Sequence, residues 1–474
     1  MSTATVKDEG EQPQVGLFCE GELPAGSPGA QPPRRVGQAR VMSPQRHQVE
    51  LRPVDLDALL APDHAARTVW AFVQALDLAP LYATIKSVAG RGGAPAIDPA
   101  ILVALWLWAT IDGVGSAREV DRLCQRDDVY RWICGGVGVN YHSLADLRTA
   151  HEAWLDAQLT RSITALLDRR LVTLSVVSQD GMRVRAHAKA SSFRRRDKLA
   201  ELHAQASAQV QALKRELSED AGASARRKLA ATERAARERQ ERLTQALATM
   251  DKIKPLRQPK ASKRRGRAGA DDPPGGDDTP TKPDPEPRVS STDSDARVMK
   301  MADGGFRPAF NAQLAVDAQT QLIAAVAVTN SGSDMGQMRP MHDDIQQRYA
   351  TTPEYWLADG GFTKLNDINA LSERHTQPVL PAPSSRNPDI DPLAPKPTDT
   401  PAQAQWRQLM ASDWGKALYV WRAASVECAN AQLRRRGLSR FNVCGLAKAR
   451  AVLLWHALAH NLMRMRSLNI AVTA

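Results

Sequence analysis

The stretch LVTLSVVSQDGMRVRAHAKA, residues 171–190, decides how the rest of the chain is interpreted. Its first seven residues are mostly apolar or β-branched, which predicts a buried or half-buried strand. This strand is predicted to end at a carboxylate, Asp180, which Gly181 follows. An acid at the C-terminal end of a central strand projects from a rigid element into the crevice where such sheets bind ligands. Taken alone, an Asp-Gly pair is also an ordinary turn signal.

A second short apolar run, EYWLADGGF at residues 354–362, repeats this pattern, because it ends at Asp359 before two glycines. A third acid, Glu427, lies in a predicted helix, WGKALYVWRAASVECANAQLRRRGLSRF, residues 414–441. Arg434 follows Glu427 at a helical spacing that places both on one face, which also fits a simple salt-bridge pattern. Three carboxylates from two strands and one helix would suit two Mg²⁺ ions, which prefer oxygen ligands.

Charge and composition point to a polyanionic partner. The 474-residue chain carries 63 Lys and Arg against 52 Asp and Glu, a net charge of +11. Such an excess favours nucleic acid as the partner, because neutralised phosphates release counterions. A well-solvated basic surface is the alternative.

The five cysteines are scattered and show no zinc spacing, which favours a reducing cytoplasm. No apolar run is long enough to span a bilayer, and the N-terminus is polar, so we expect a soluble intracellular protein.

The sequence divides into segments of different character. Residues 1–47 are predicted to form a disordered basic arm and residues 48–170 an all-helical domain. Helix starts are predicted at Asp98 with Pro99, at Ser116 with Glu119, and at Ser143. Residues 194–254 contain apolar positions at intervals of three or four, which predicts a coiled-coil helical hairpin. Residues 255–295 lack apolar surface and are predicted to be a disordered linker.

Beyond the linker, the order of elements is that of an α/β domain. The runs FNAQLAVDA and LIAAVAVTN, on either side of a polar turn at residues 319–321, predict a β-hairpin. A helix over DMGQMRPMHDDIQQRYA and the strand that precedes Asp359 follow it. Residues 171–193 and 296–474 are therefore predicted to form one domain, into which the helical hairpin and the linker are inserted.

Four blocks of sequence resemble the bacterial insertion-sequence transposases of the DDE class. They are SQDGMRVRAHA, ARVMKMADGGFRPAFNAQLAVD, WLADGGF and YVWRAASVECANAQLRRRGLSRFNVCGLAKARAVLLWHALAHNLMRM, in that order. The resemblance implies an RNase H-like catalytic domain with a mixed sheet and flanking helices, preceded by a helical DNA-binding domain. It further implies Mg²⁺ or Mn²⁺ as cofactor, the two element ends and target DNA as double-stranded partners, and a homo-oligomer.

The resemblance also assigns residues. Asp180, Asp359 and Glu427 match the catalytic triad and would be the metal ligands. Tyr419, Arg422 and Arg434 match the family's basic signature and would contact DNA phosphates, with Arg435 or Arg436 able to replace Arg434. Arg422 lies five residues before Glu427, whereas four is the commoner interval. In a regular helix five residues turn Arg422 about 140° away from Glu427, so either a π-bulge or a helix start intervenes, or Arg422 lies outside the site.

Other polar residues receive simpler interpretations. Asp303, in a second ADGGF string, is predicted to lie in a turn, and Asn311, Asp317 and Asp334 to be turn or edge residues. His456 and His460 have metal-pair spacing but no third ligand nearby in the sequence, so we expect core or helix-face residues. Trp106, Trp108 and Trp132 are expected in the core of the helical domain.

Three functions remain open from the sequence. The leading one is a transposase that cuts element ends and joins them to target DNA. The alternative is a catalytically inactive DNA-binding protein, a repressor-like remnant of an element. The third is a nuclease on the same fold, which cuts without joining.

Overall fold

The computed structural model describes residues 53–87, 94–218, 223–253, 286–384, 389 and 391–471. The predicted basic arm and residues 255–285 of the predicted linker lie outside these ranges. None of the helices in the described ranges combines the length and apolar character that crossing a bilayer requires.

The first part of the described chain is helical, as predicted. After a short 3₁₀ turn at Asp57–Leu59, seven helices follow. They are α1 (Ala65–Ala75), α2 (Ala79–Tyr82), α3 (Pro99–Ile111), α4 (Ala117–Arg126), α5 (Asp128–Cys134), α6 (Tyr141–Ala150) and α7 (Glu152–Asp168).

The predicted helix starts are correct at two of three positions. The side chains of Asp98 and Ser116 cap α3 and α4 by accepting backbone N–H groups. The third prediction is wrong, because the cap of α6 is Asn140, whose side chain accepts the N–H of Ser143. The amide oxygen of Asn140 serves as the capping acceptor three residues earlier, so the helix begins before the predicted serine.

The second part of the chain is built on a mixed six-stranded sheet. Its strands are β1 (Val176–Arg185), β4 (Arg297–Lys300), β5 (Phe306–Asp317), β6 (Ile323–Thr329), β7 (Tyr355–Leu357) and β8 (Gln377–Val379), and a separate pair is formed by β2 (Phe193–Arg194) and β3 (Val289–Ser290). The order is β4-β5-β1-β7-β8, and β6 also pairs with β5. Strands β1 and β5 are antiparallel, whereas β1, β7 and β8 are parallel. This mixed sheet with flanking helices fits the RNase H-like fold.

Strand β1 differs from its prediction at both ends. It begins at Val176 and continues through Asp180 to Arg185, so Asp180 lies within the strand and not at its C-terminal end. Antiparallel pairing with β5 extends β1 beyond the acid, because Asp180 pairs with Leu314 there. On its other side β1 pairs with β7 only as far as Ser178. Strand β7 is only three residues long, so beyond Ser178 this edge of β1 has no pairing with β7. We call this point the step in the sheet, and Asp180 lies there.

Two long helices are inserted between β2 and β3. They are α8 (Arg196–Ser218) and α9 (Ala223–Lys252), and residues 219–222, in the predicted turn, lie outside the described ranges. His203 contacts Thr244, and Ser207 contacts Gln240, which shows that the helices run antiparallel. A cluster of buried apolar side chains in their seam extends to β3: Leu199, Ala206, Leu243, Ala246, Met250 and Val289. The predicted linker therefore ends earlier than residue 295, since β3 belongs to the fold.

The remaining helices cover the sheet. They are α10 (Met338–Tyr349), α11 (Leu365–Glu373), α12 (Pro401–Ala411), α13 (Asp413–Arg422), a π-helix (Ala423–Glu427), α14 (Cys428–Arg435) and α15 (Leu446–Ser467). Helix α15 is buried along most of its length and contacts α3, α7 and β6. Its Asn461 side chain bonds the backbone N–H and C=O of Ile323 on β6. The helical region and the sheet thus share one hydrophobic core.

Candidate active site

The step in the sheet brings the first two predicted acids together. Ser178 pairs with Leu357 in the parallel β1–β7 ladder, and each acid follows two residues later, Asp180 on β1 and Asp359 after β7. Equal offsets along adjacent parallel strands place residues at the same level of the sheet. Asp180 and Asp359 therefore lie side by side at the end of β7.

Each of these carboxylates accepts a hydrogen bond from a nearby backbone N–H, and Asp180 also accepts one from a side chain. Oδ1 of Asp180 accepts the N–H of Gly181 at 2.9 Å, and its Oδ2 accepts the side-chain amide of Asn430 on α14 at 2.7 Å. Asp359 caps a 3₁₀ helix over residues 360–362, because its Oδ1 accepts the N–H of Gly361 at 2.8 Å. A Cβ atom at position 361 would lie 2.9 Å from Oδ1 of Asp359, so the glycine there leaves room for the carboxylate.

The third acid is brought to the site by an irregular helix. Residues 423–427 form a π-helix between α13 and α14, and Glu427 is its last residue. A π-helix bonds residues five apart along the chain, so Arg422 and Glu427 fall on the same face. Nη1 of Arg422 contacts Oε1 of Glu427 at 2.6 Å. Of the alternatives left open by the spacing, the structure has the π-bulge, which brings Arg422 beside Glu427.

The guanidinium of Arg422 lies between all three acids. In addition to its bond with Glu427, its Nη2 lies 3.6 Å from Oδ1 of Asp180 and 4.0 Å from Oδ2 of Asp359. Only 10% of the Arg422 side chain is exposed, and its buried Nε has no hydrogen-bond partner among the described residues. The acids and this one cation form the acid cluster of the protein: Asp180, Asp359, Glu427 and Arg422.

The electrostatics of the cluster depend on burial. Burial raises the pKa of Asp180 to about 6; Asp359 and Asp334 add to the rise, while Arg422 and the Gly181 amide oppose it. For Arg422, burial lowers the pKa, but Asp180, Tyr419 and Glu427 outweigh it and raise the pKa above its usual value. Arg422 therefore stays charged, and it compensates part of the negative charge of the acids.

A buried polar network behind the cluster was missed by the sequence interpretation. Asp334 accepts the side-chain amides of Asn311 and Gln313, each at 2.7 Å, and pairs with Arg183 at 2.7 Å. Asn311 is buried on the central strand β5 beside Gly181, so its interpretation as a turn or edge residue is wrong. Asp334 begins a turn, as predicted, since its C=O accepts the N–H of Gln337 at 3.0 Å, but its carboxylate is buried in the same network. The alternation of Asn311 and Gln313 on β5 was the available signal. In sequence, alternating polar residues are typical of a strand face exposed to solvent, and nothing in the sequence indicated that β5 lies in the centre of the sheet.

The other residues expected to contact DNA lie on α13 and α14, the helices on either side of the π-helix. Tyr419 is half-buried on α13, and burial raises its pKa; Arg422 opposes this, while the three acids of the cluster add to it. Arg434 is exposed, and its Nε contacts Sδ of Met182 on β1 at 3.2 Å. Arg435 is exposed in the last turn of α14. The structure thus places Arg422 among the acids and Arg434 beside β1.

A groove of about 740 Å³ begins next to Asp180 and is rich in basic side chains. Its lining includes Gly181 and five cations, Arg183, Arg185, Lys300, Arg307 and Arg434. Arg183 is paired with Asp334, and Arg307 with Asp303. Arg185, Lys300 and Arg434 are exposed and form no ion pair with an acid that the structure describes. We call this surface the basic groove.

The remaining candidates have structural roles, as expected. Asp303 lies in a turn before β5 and bonds the N–H of Gly305. Asp317 caps the hairpin turn through the N–H of Thr320. His456 and His460 are buried on α15, where His456 contacts the C=O of Val452 and His460 that of Gln321. Trp106 is fully buried, while Trp108 and Trp132 are partly buried against the same core.

The chemistry of the acid cluster suits a hard divalent cation, since all three acids offer carboxylate oxygens. As they stand, however, no three His, Cys, Asp or Glu side chains in the described ranges are arranged to hold a metal ion. The guanidinium of Arg422 lies among the three acids instead. The carboxylate oxygens are of the kind that Mg²⁺ and Mn²⁺ prefer, although in this structure the acids face Arg422 and are not arranged around a metal position.

Comparison with known families gives two matches. Residues 280–462 match the family model described as a transposase DDE domain, and residues 54–149 match the one described as a transposase domain (DUF772). Together these matches span more than half of the chain, which belongs to the DDE transposases of insertion sequences. The first match includes Asp359 and Glu427 and begins after Asp180. No curated protein and no solved structure matches the chain.

Proposed function

We propose that this protein cuts DNA at the ends of its insertion sequence and joins those ends to target DNA, with Asp180, Asp359 and Glu427 as the catalytic triad. The observation that carries the proposal is the convergence of three carboxylates from distant parts of the chain on the guanidinium of Arg422. Membership of the transposase family supports it, because that family performs phosphodiester chemistry.

In the proposed mechanism the three acids would hold the divalent ions. When bound, Mg²⁺ or Mn²⁺ would supply Lewis acidity that activates an attacking oxygen and stabilises the leaving one. Asn430 and the Gly181 amide fix the orientation of Asp180 through one bond to each oxygen. The network around Asp334 packs against Gly181, and we expect it to hold this part of β1 in position.

The basic groove would hold the DNA backbone next to the acids. Arg185, Lys300 and Arg434 carry charges that no described acid neutralises, and phosphates would pair with them. Tyr419 and Arg435 are proposed as further phosphate contacts. Two element ends must meet for joining, so the proposed active form is a homo-oligomer.

The test uses purified protein, Mn²⁺ or Mg²⁺, and DNA that carries the ends flanking its own gene. Asp180→Asn, Asp359→Asn and Glu427→Gln are each expected to lower cleavage and joining at least about 10³-fold, because each removes a charged ligand. Their DNA affinity should remain within about threefold of wild type. Glu373→Gln, an exposed acid at the end of α11, is the matched control and should retain both reactions.

The outcomes separate the competing functions. Full chemistry in any of the three variants would remove that acid from the triad. Cleavage without joining in the wild type would favour a nuclease. DNA binding without any cleavage would favour a repressor-like protein.

A further inference from the structure

The acid cluster already contains a cation, and this cation is part of the chain. Arg422 contacts Glu427 directly and lies within ion-pair distance of Asp180 and Asp359. Its side chain is nearly buried, so its charge is compensated by these acids and not by water. Without Arg422, three neighbouring carboxylates would repel one another in a partly desolvated site.

A divalent ion would need the same oxygen atoms. Mg²⁺ binds oxygen ligands at about 2.0–2.1 Å and requires near-octahedral geometry. Oε1 of Glu427, however, accepts a short bond from Nη1 of Arg422. Two cations would also repel each other strongly at this separation. The guanidinium and a metal ion therefore exclude each other from the position that Arg422 holds here.

The contacts of Arg422 keep the free-energy cost of moving its guanidinium out of the acid cluster low. Its Nε has no hydrogen-bond partner among the described residues, and the bonds of its head group go to the acid cluster. When a metal ion neutralises the acids, these attractions are lost, and a buried unpaired guanidinium is costly. The long, flexible side chain would then move to another anion, and the DNA backbone offers the nearest phosphates in the proposed function.

We propose that Arg422 is the resident counter-ion of the acid cluster, that divalent metal displaces it, and that the displaced guanidinium binds a DNA phosphate. Metal binding and DNA binding are then coupled through one side chain, and by linkage each strengthens the other. The competition between Arg422 and a metal ion for the three acids is inferred from the contacts of the acid cluster and does not depend on DNA. The capture of a phosphate rests on the proposed function.

The first experiment measures Mn²⁺ affinity without DNA, by titration calorimetry and by the electron paramagnetic resonance signal of free Mn²⁺. Arg422→Gln is expected to bind Mn²⁺ about tenfold more tightly than wild type, because the competing cation is gone. Arg374→Gln is the matched control; it removes an arginine that is 26% exposed and paired with Asp343 away from the acids, and its affinity should be unchanged. Equal or weaker Mn²⁺ binding by folded Arg422→Gln would overturn the proposal.

The second experiment needs no variant, so it also applies if Arg422→Gln fails to fold. Mn²⁺ affinity of the wild type is measured with and without a short DNA duplex at constant ionic strength. The duplex is expected to raise the affinity about fivefold or more, and unchanged affinity would overturn the coupling. In folded Arg422→Gln the enhancement should be lost. Absence of Mn²⁺ binding to wild type under both conditions would contradict the proposed function itself, which distinguishes the two failures.

Discussion

Gly181 and Asp334 are packed so closely that a Cβ atom at position 181 would overlap with Oδ1 of Asp334. The same atom would overlap with Nε2 of Gln313 and lie 2.9 Å from Oδ1 of Asn311. All three neighbours belong to the polar network behind Asp180, and they are tied to one another by hydrogen bonds. The glycine that follows Asp180 is therefore required by side-chain packing within β1 and not by a turn.

Gly181→Ala is expected to destabilise the protein by about 1–3 kcal/mol, because the methyl group forces the network apart. Cleavage should fall more than stability explains, since Asp180 is the preceding residue. Thermal unfolding and end cleavage measure the two effects. Gly138→Ala is the control, because nothing lies within 4 Å of a Cβ at that position. Wild-type cleavage by Gly181→Ala would show that the network does not position Asp180.

The basic groove predicts a graded effect on DNA binding. Arg185→Gln and Lys300→Gln should each weaken binding and lower the slope of log K against log salt by about 1, as expected for one lost phosphate contact. Arg339→Gln on α10, which removes an exposed arginine paired with Asp343, should leave the slope unchanged. Fluorescence anisotropy over a range of salt concentrations gives these slopes. An unchanged slope in both groove variants would place the DNA elsewhere.

Buried histidines predict how stability changes with pH. Burial lowers the pKa of His342, His456 and His460 to about 4 each. The unfolded chain takes up protons near pH 6.5 and the folded chain does not, so stability falls as the pH falls from about 6.5 towards 4. Asp180 acts in the opposite sense, because its raised pKa makes the folded state bind a proton first.

The three histidines outweigh this single acid, and each contributes up to about 3 kcal/mol at the acidic limit. Urea unfolding at pH 7 and at pH 5 should therefore show a loss of stability. His456→Gln should reduce this loss, whereas His142→Gln, at an exposed position, should not. A wild-type stability that stays constant between these two pH values would contradict the prediction.

Local signals in the sequence predicted much of the fold. The cap at Asp98 and the β5–β6 hairpin follow from neighbouring residues, and the structure has both. Asp359 after β7 was recognised because a short apolar run ends just before it. In each case the information lies within about one element, where propensity and turn chemistry act.

The missed features depend on distant pairing. Strand β1 continues past Asp180 because β5, more than a hundred residues later, pairs with it there. Asn311 and Asp334 meet only when β5 and the loop after β6 are folded together. Helix α15 joins the helical region to the sheet through one core, and its sequence alone did not reveal that it packs against both. Such contacts are specified by tertiary packing, which overrides local preference.

The π-helix at residues 423–427 also bears on how this chain should be compared with its relatives. Inserting one residue into a regular α-helix rotates everything beyond it by about 100°. A π-turn absorbs the insertion locally, so the side chains on both sides keep their directions. A relative with the four-residue interval can therefore superpose its arginine and glutamate on Arg422 and Glu427. An alignment has to place its single gap between these two residues, and a gap elsewhere would assign the wrong arginine to the active site.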